Sequence, residues 1–300
     1  MSKRKSGLNV HGILLLDKRL GVSSNKALQE VRRLFNANKA GHTGSLDPLA
    51  TGLLPLCFGA ATKVSAMMLD DDKRYAVTIQ LGVMTDTGDK EGVVLETKPV
   101  PVLSLEQIQA CLQHFTGEIE QVPPMYSALK HNGKKLYELA RAGISIDRKA
   151  RRITIYELKL LDFSDNLLSL EVFCSKGTYI RSLAEDIGHY FGCGGTVTVL
   201  RRLQVGQFQL ADAYTIEQLT AMNAQQLAAC LLTVDTPLQR LAAVQLSSEQ
   251  ATAIQYGQTI DFIDQQSGIV RLYRNELFLG LGEMALNDKL IPKKIFNLAD

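Results

Sequence analysis

Hydrophobic residues recur along the chain at two spacings, and these spacings separate predicted strands from predicted helices. The clearest strand covers Tyr75–Val83, where large apolar residues alternate with Ala, Thr, Gln and Gly. The short unbroken apolar run Gly12–Leu16 is typical of a buried strand. Further strands are predicted at Gly92–Thr97, Arg152–Leu160, Leu167–Cys174 and Thr196–Phe208.

Helical spacing and capping signals alternate with these strands. A helix capped by Ser24 carries its apolar residues on one face. Ser104 and Gln107 form a capping box for a helix that ends at Gly117. Thr178 is predicted to cap a helix over Tyr179–Phe191. Shorter helical stretches are predicted at 60–69, 136–141, 215–232 and 248–256.

The order of these elements predicts the fold class. Strands and helices are mixed without a regular βαβ alternation, which favours an α+β fold with a largely antiparallel central sheet flanked by helices. The composition changes near Thr236–Val244, and the remaining stretch predicts a small β unit in which Ile269–Tyr273 pairs with Leu277–Leu281. We expect one large domain over residues 1–240 and a small one over 241–300.

Charge is unevenly distributed along a chain that is otherwise nearly neutral. The 300 residues carry a net charge of +2, and their 46% hydrophobic content is enough for a sizeable core. Residues 1–40 nevertheless hold nine Lys and Arg against two acids, and residues 130–152 hold eight against two. These blocks favour a polyanionic partner, although solvated basic faces explain them equally well. The second block lies in an exposed, partly irregular insertion predicted at about 122–152.

Cysteine and histidine usage narrows the class of protein further. The five cysteines are odd in number and form no C-x-x-C pair, which predicts reduced, buried thiols in a cytoplasmic protein. The five histidines lack ligand spacing, so we expect no metal. The apolar run after the basic first residues is too short for a signal peptide, and we expect no membrane-spanning segment.

One loop, Gly41–Gly59, carries the first candidate for chemistry. Asp47 is its single carboxylate, and its apolar neighbours Leu46 and Leu49 make it costly to bury without a partner. A structural explanation is also available, because Asp47 could be the N-cap of a helix that begins at Pro48. A phosphate-binding loop is excluded, since no Gly-Lys-Ser/Thr closes the run.

Three further positions are ambiguous when taken alone. Tyr75 stands at the mouth of its strand, but the alternation also allows it to be a core aromatic. Arg181 lies at a helix start, where it could form a surface pair with Glu185. The segment Leu200–Arg202 is consistent with a core leucine followed by two exposed cations.

Together these stretches form a specific pattern that covers nearly the whole chain. It comprises Gly41–Gly59 with Thr62-Lys63, Arg74-Tyr75 with Leu81-Gly82 and Thr85–Asp89, Tyr126–Tyr137, Lys176–Arg181 and Leu200–Arg202. This pattern resembles the TruB family of tRNA pseudouridine synthases, which form the pseudouridine at position 55 in the T loop. One departure is that Arg19 follows Asp17-Lys18 where the family usually has proline, which puts the stiffness of that turn in doubt.

The resemblance implies the pseudouridine synthase fold, with a PUA-like RNA-binding module at the C-terminus. It implies that Asp47 is the catalytic nucleophile, that Arg181 is its ion-pair partner and that Tyr75 stacks on the target uracil. Supporting roles are implied for Tyr179 and Leu200 in the base pocket, for His42 on the RNA, for Lys63 beside the Asp47 loop, and for Lys130, Lys134, Lys135, Arg201 and Arg202 on the RNA backbone.

The same resemblance implies an isomerase that binds the T arm of tRNA, needs no cofactor and no protein partner, and acts as a cytoplasmic monomer. Whether Asp47 adds to C6 of uracil, adds to C1′ of the sugar or acts as a base at C2′ stays open. Two other functions are also open. One is a non-catalytic tRNA-binding or RNA-folding protein, and the other is a subunit of a guide-RNA-dependent synthase.

Overall fold

The computed structural model describes residues 7–262 and 267–296. Its helices are α1 (Ser24–Leu34), α2 (Ser65–Leu69), α3 (Leu105–His114), α4 (Leu136–Arg141), α5 (Ile180–Tyr190), α6 (Ile216–Thr220), α7 (Ala224–Ala229) and α8 (Ser248–Gln255). Its strands are β1 (Gly12–Lys18), β2 (Ala40–His42), β3 (Thr51–Phe58), β4 (Lys73–Leu81), β5 (Val83–Thr85), β6 (Val94–Thr97), β7 (Gly117–Gln121), β8 (Lys130–His131), β9 (Lys134–Lys135), β10 (Arg151–Ser164), β11 (Leu167–Cys174), β12 (Gly195–Val205), β13 (Phe208–Gln209), β14 (Ala243–Gln245), β15 (Ile260–Asp261), β16 (Gly268–Arg274), β17 (Leu277–Ala285) and β18 (Lys289–Ile295).

A mixed sheet forms the centre of the molecule. Within the described ranges it has nine strands in the order β1-β3-β12-β4-β11-β10-β7, with β2 paired to β3 and β13 paired to β12. The pairs along it are antiparallel except β12 with β3, which is parallel. The predicted α+β class with a largely antiparallel sheet is therefore confirmed.

Both faces of this sheet are covered. Successive residues of a strand point to opposite faces, so Leu14 and Leu16 of β1 enter one core while Ile13 and Leu15 enter the other. Helices α1, α3, α5, α6 and α7 contribute to the first core. The second core also includes three residues of the C-terminal unit: Phe278 and Leu281 of β17, and Phe296, which follows β18.

The C-terminal stretch forms a separate sheet of order β14-β16-β17-β18-β15, five strands within the described residues. Its own small core includes Val244, Ile254 and Leu272. The predicted pairing of Ile269–Tyr273 with Leu277–Leu281 is confirmed as the antiparallel pair β16–β17. A small β-rich C-terminal unit is thus present, as expected.

Part of the first charged block cannot be placed in the fold. The basic residues Lys3, Arg4 and Lys5 of the first charged block lie outside the described residues. In the part of the chain that the structure describes, none of the helices combines the length and the apolar composition needed to cross a membrane.

Three local predictions are wrong. Asp47 does not cap a helix: the loop leads into β3, whose residues after Thr51 are all buried, as in a strand covered on both faces. Burial between two cores thus outweighs the local signal of the following proline. Helix α1 is capped by Ser23 rather than Ser24. The hydroxyl of Thr178 bonds to the Ser175 carbonyl instead of capping α5.

Candidate active site

Asp47 lies in the loop 43–50, which joins β2 to β3. The residue before it is fixed by Ser24 of α1, whose Oγ accepts from the Leu46 amide at 2.7 Å and donates to the Leu46 carbonyl at 3.0 Å. The Ala50 amide donates to the Asp47 carbonyl at 3.0 Å, which closes a turn. Both flanks of the carboxylate are therefore held by buried hydrogen bonds.

Arg202 of β12 fixes the same segment from the sheet. Its Nε donates to the Leu53 carbonyl at 2.7 Å and its Nη2 donates to the Gly44 carbonyl at 3.2 Å. The residue is only 1% exposed. The expectation that Arg202 contacts the RNA backbone is therefore wrong, because a guanidinium enclosed by protein cannot reach a phosphate.

The Asp47 carboxylate forms an ion pair with Arg181, as expected. Arg181 Nη2 lies 3.0 Å from Asp47 Oδ2, and Arg181 Nη1 lies 3.7 Å from Oδ2 of a second carboxylate, Asp89. The side chains of Arg181 and Asp89 are each 7% exposed, whereas that of Asp47 is 43% exposed. One buried guanidinium thus lies between two carboxylates, of which only Asp47 is open to solvent.

Backbone carbonyls fix the remaining geometry of Arg181. Its Nη1 donates to the Thr87 carbonyl at 2.9 Å and its Nη2 donates to the Tyr126 carbonyl at 2.7 Å. The turn that carries Thr87 can approach α5 closely because its Gly88 has a φ of 72°, and a Cβ there would lie 2.8 Å from Glu185 Oε1. Arg181 forms ion pairs with Asp47 and Asp89 and, among the described residues, none with Glu185.

The start of α5 is itself clamped by Gln121, at the end of β7. Its Oε1 accepts from the Tyr179 amide at 2.8 Å, and its Nε2 donates to the Tyr179 carbonyl at 3.1 Å. Gln121 is 3% exposed, so both bonds are shielded from water. This clamp joins the end of β7, where the basic insertion begins, to the helix that carries Arg181.

Opposing effects act on the ionisation of Asp47. Burial raises the pKa of its carboxyl, because the protein displaces much of the water around it although one side stays open. The Arg181 guanidinium opposes this rise, Asp89 adds to it, and the Lys18 ammonium opposes it. Burial also lowers the pKa of Lys18 to about 8, and its Nζ donates to the carbonyls of Val22 and Arg19.

The expected base-pocket residues have different degrees of exposure. Tyr75 is 9% exposed in the core that also holds Val77, which fits the core-aromatic interpretation; stacking on uracil stays a prediction. Burial raises the pKa of Tyr75, and the adjoining Arg202 guanidinium opposes that rise. Leu200 is buried on the same sheet face, and half-buried Tyr179 stands at the start of α5.

His42 lies next to the Asp47 loop and is half-buried. Burial lowers the pKa of its imidazole, and the nearby Arg202 charge lowers it further. Within residues 7–262 and 267–296, its buried Nδ1 has no hydrogen-bond partner, and the same holds for the hydroxyl of Thr43. Contact of His42 with RNA stays a prediction.

Lys63 lies elsewhere than expected. Its Nζ donates to the Ile295 carbonyl at 2.9 Å and lies 5.0 Å from the ring centroid of Phe296, so it joins the short 3-10 helix after β3 to the C-terminal unit. The expectation that Lys63 supports the Asp47 loop is therefore corrected. The sequence could not indicate this contact, because only the fold shows that β18 ends beside Lys63.

The remaining expected RNA contacts are accessible. Lys130, Lys134 and Lys135 lie on the small β8–β9 hairpin, and we call these three residues the lysine hairpin. Arg201 is 38% exposed, and its two terminal nitrogens donate to both carboxylate oxygens of Asp17 at 3.1 and 2.6 Å. Contact of these side chains with RNA stays a prediction.

Sequence reasoning missed four residues that hold the site together: Lys18, Ser24, Asp89 and Gln121. Asp89 was contained in a turn-forming segment, yet nothing local indicated that it faces Arg181. In the described part of the chain, no group of three or more His, Cys, Asp or Glu side chains is arranged to hold a metal ion.

Comparison with protein families covers most of the chain. The model for the N-terminal domain of TruB family pseudouridylate synthases matches residues 32–180. A model for the C-terminal domain of tRNA pseudouridylate synthase B matches residues 181–239, and one for the C-terminal region of pseudouridine synthase II TruB matches residues 242–296.

Individual proteins and structures agree. The tRNA pseudouridine synthases B of Chromohalobacter salexigens and Actinobacillus pleuropneumoniae are each 50% identical to this chain, covering 100% and 98% of it and 98% and 99% of their own lengths. A chain of an H/ACA RNP bound to a substrate RNA containing 2′-deoxyuridine shares the fold, with a TM-score of 0.71 at 19% identity over 99% of this chain and 92% of its own. The sequence matches confirm the resemblance, and the chain belongs to the TruB family of pseudouridylate synthases.

Proposed function

We propose that this protein converts uridine to pseudouridine in tRNA, at position 55 of the T loop. The observation that carries the proposal is the Asp47–Arg181 pair at 3.0 Å, in which the carboxylate alone is open to solvent. A purely structural ion pair does not require its carboxylate to be open to solvent while its guanidinium is buried. The names of the full-length relatives support tRNA as the substrate.

The reaction rearranges bonds within one nucleotide. The N1–C1′ bond breaks, the base turns, and C5 bonds to C1′ while the C5 proton leaves and N1 gains a proton. The product is an isomer of the substrate, so the atoms balance without a co-reactant. Asp47 supplies the carboxylate for addition to C6, addition to C1′ or proton removal at C2′, and each of these steps needs its ionised form.

Arg181 makes that ionised form available. Its guanidinium opposes the effect of burial on Asp47, and the carbonyls of Thr87 and Tyr126 keep it in place. The target base has to leave the stack before it can reach the carboxylate, at a cost of a few kcal/mol. Stacking on an aromatic ring offsets about 1–3 kcal/mol of that cost, and Tyr75 is the ring we assign to this role.

Basic surfaces on the same molecule would hold the RNA. The lysine hairpin is exposed within the insertion, and the Tyr126 carbonyl of that insertion contacts Arg181. We assign residues 1–240 to a catalytic domain and 241–300 to an RNA-binding domain. We further propose that the protein needs no protein partner, acts as a monomer and works in the cytoplasm, which suits five free and buried cysteines.

The test is release of tritium from tRNA transcripts that carry uridine labelled at C5. The purified chain alone should release it, because C5 must lose its hydrogen when it becomes the glycosidic carbon. Asp47→Asn should abolish release while tRNA binding persists, since an amide cannot supply the carboxylate. The matched control is Asp162→Asn, the same change on an exposed residue of β10, which should release tritium at the parental rate.

Three outcomes would contradict the proposal. Tight binding of tRNA without release by the parent chain would identify a binding protein. Release only with a guide RNA and other proteins would identify a guide-dependent subunit. Substantial release by the Asp47→Asn variant would remove Asp47 from the chemistry.

A further inference from the structure

Arg202 is an unusual residue for its position. It is among the largest fully buried side chains of the structure, at 1% exposure. Within residues 7–262 and 267–296, no carboxylate oxygen lies within 4.0 Å of its guanidinium nitrogens. A buried charge without a counter-charge is costly, so its retention needs a compensating set of hydrogen bonds.

The compensating bonds all go to one segment. Nε and Nη2 bind the carbonyls of Leu53 and Gly44, which stand on either side of Asp47. The backbone of Arg202 also contacts this segment, because β12 pairs with β3 at Gly52. A Cβ on Gly52, whose φ is 97°, would lie 2.3 Å from the Arg202 carbonyl oxygen, so the two strands approach as closely as glycine allows.

The opposite neighbour of Arg202 is also part of the candidate site. On the other side of β12, Arg202 is the register partner of Tyr75 in β4. A bulge follows at Leu203, between the pairs Arg202–Tyr75 and Gln204–Arg74. Bulges next to active sites commonly redirect a side chain, and this one ends the regular alternation just after Arg202.

We infer that Arg202 is a positioning residue for the reaction: its guanidinium holds both ends of the Asp47 loop and fixes that loop relative to Tyr75. The inference rests on the proposed function. It assigns Arg202 no contact with substrate. The residue acts through the two carbonyls and through the pairing of its strand with that of Tyr75.

The chemistry of the side chain explains why arginine fits this place. A guanidinium presents five N–H donors in a rigid plane, so it can bind two carbonyls in fixed directions. A lysine ammonium keeps the charge but has its donors on one flexible atom. The change Arg202→Lys should therefore preserve the charge while releasing at least one end of the loop.

The experiment compares Arg202→Lys and Arg202→Gln with the parent chain. Glutamine is included because it leaves no uncompensated charge in the interior and so is less harmful to folding. The matched control is Arg74→Lys on the neighbouring strand β4, where the arginine pairs with Glu157 and Glu171 on the other face of the sheet. Single-turnover tritium release, tRNA affinity and amide exchange of residues 43–53 are measured below the melting temperature of each variant.

We expect both Arg202 variants to bind tRNA with an affinity within about twofold of that of the parent. They should release tritium about 10- to 100-fold more slowly, because a small misplacement of a reacting group lowers the rate by this order. Amide exchange should quicken in residues 43–53 and stay parental in β11. Arg74→Lys should keep the parental rate. If both Arg202 variants are unfolded, amide exchange in the parent chain tests the inference instead. The amides of residues 43–53 must then exchange as slowly as those of β12.

Other outcomes would overturn the inference. A parental rate in folded Arg202→Lys would make Arg202 purely structural, and so would loop amides that exchange faster than β12 in the parent. If the variants bound tRNA more weakly but released tritium from the bound tRNA at the parental rate, Arg202 would contact the RNA backbone after all. If the parent itself releases no tritium, the proposed function fails, while the exchange data still decide whether Arg202 holds the loop.

Discussion

Ser24 offers a sharp test of how the position of Asp47 is set. Its hydroxyl is the partner of both the amide and the carbonyl of Leu46, and the two residues are 3% and 5% exposed. The change Ser24→Ala removes both bonds and leaves two buried backbone groups without partners. Each such group costs about 1–3 kcal/mol. Because the loop can partly relax, we expect the free energy of unfolding to fall by about 2–4 kcal/mol.

The neighbouring serine provides a matched control. Ser23 is exposed and caps α1 by accepting from the Lys26 amide at 3.2 Å. Ser23→Ala should lower the free energy of unfolding by about 1 kcal/mol through loss of the cap. It leaves both bonds between Ser24 and Leu46 in place. The two variants thus make the same chemical change one residue apart, and only one of them releases the catalytic loop.

Urea denaturation and single-turnover tritium release separate the two effects. Folded Ser24→Ala should release tritium about 10- to 100-fold more slowly with parental tRNA affinity, because Asp47 is displaced by a fraction of an ångström or more. Ser23→Ala should keep the parental rate. A parental rate in folded Ser24→Ala would refute the reasoning. Equal losses of rate in the two variants would refute it too, since α1 as a whole would then be responsible.

Three more predictions concern charge and stacking. Because burial raises the pKa of Asp47, the rate of tritium release should fall with falling pH at a pH above the pKa of a free aspartate. In Arg181→Met this acid limb of the pH–rate profile should shift to higher pH, because Arg181 no longer lowers the pKa of Asp47. Neutralising the lysine hairpin should reduce the slope of log K for tRNA binding against log salt concentration by about 0.9 per lost phosphate contact. Filter binding across salt concentrations would measure this slope, and the rate of tritium release from bound tRNA should be unchanged. Tyr75→Phe should bind tRNA like the parent while Tyr75→Leu should not; equal binding by both would contradict stacking.

The Arg181→Met variant also has a stability signature with a defined sign. It removes the cation that opposes the effect of burial on Asp47, so this carboxyl binds a proton more readily in the folded state than in the unfolded state. Its free energy of unfolding should therefore rise as the pH is lowered from 7, and fall as the pH rises through the raised pKa of Asp47. Thermal melts across pH would check this, and a parental pH dependence would contradict it.

Much of the fold could be predicted because its strands and caps are local signals. The alternation at β4 and the capping box of α3 appear in the structure where the sequence places them. The interpretation of Asp47 as a helix cap failed for an equally physical reason. The segment Thr51–Phe58 is buried from its second residue onward, so burial decides its conformation and Pro48 only shapes the turn before it.

The position of Arg202 could have been inferred from its neighbour. Residues two apart in a strand share a face, so a buried Leu200 places Arg202 on the buried face and Arg201 on the other. The interpretation of Arg201 and Arg202 as two exposed cations relied on residue type and ignored the two-residue alternation of a strand. By contrast, the pairs Ser24–Leu46 and Arg181–Asp89 join segments that are 22 and 92 residues apart, and no local pattern indicates which side chains meet.

The charges around Asp47 explain how one carboxylate can be both ionised and reactive. Burial and Asp89 raise the pKa of Asp47, which makes its anion a stronger base and nucleophile. Arg181 and Lys18 oppose that rise and so favour the anion that the reaction needs.

A guanidinium given wholly to Asp47 would stabilise the anion more and make it less reactive. Arg181 also pairs with Asp89, which compensates part of the positive charge of the guanidinium. The Asp47 anion is therefore stabilised less strongly and stays more reactive. An entering base would shield Asp47 further from solvent and so raise its pKa further. At that moment the carbonyls of Thr87 and Tyr126 matter most, since they keep the guanidinium from turning away from the carboxylate while the substrate binds.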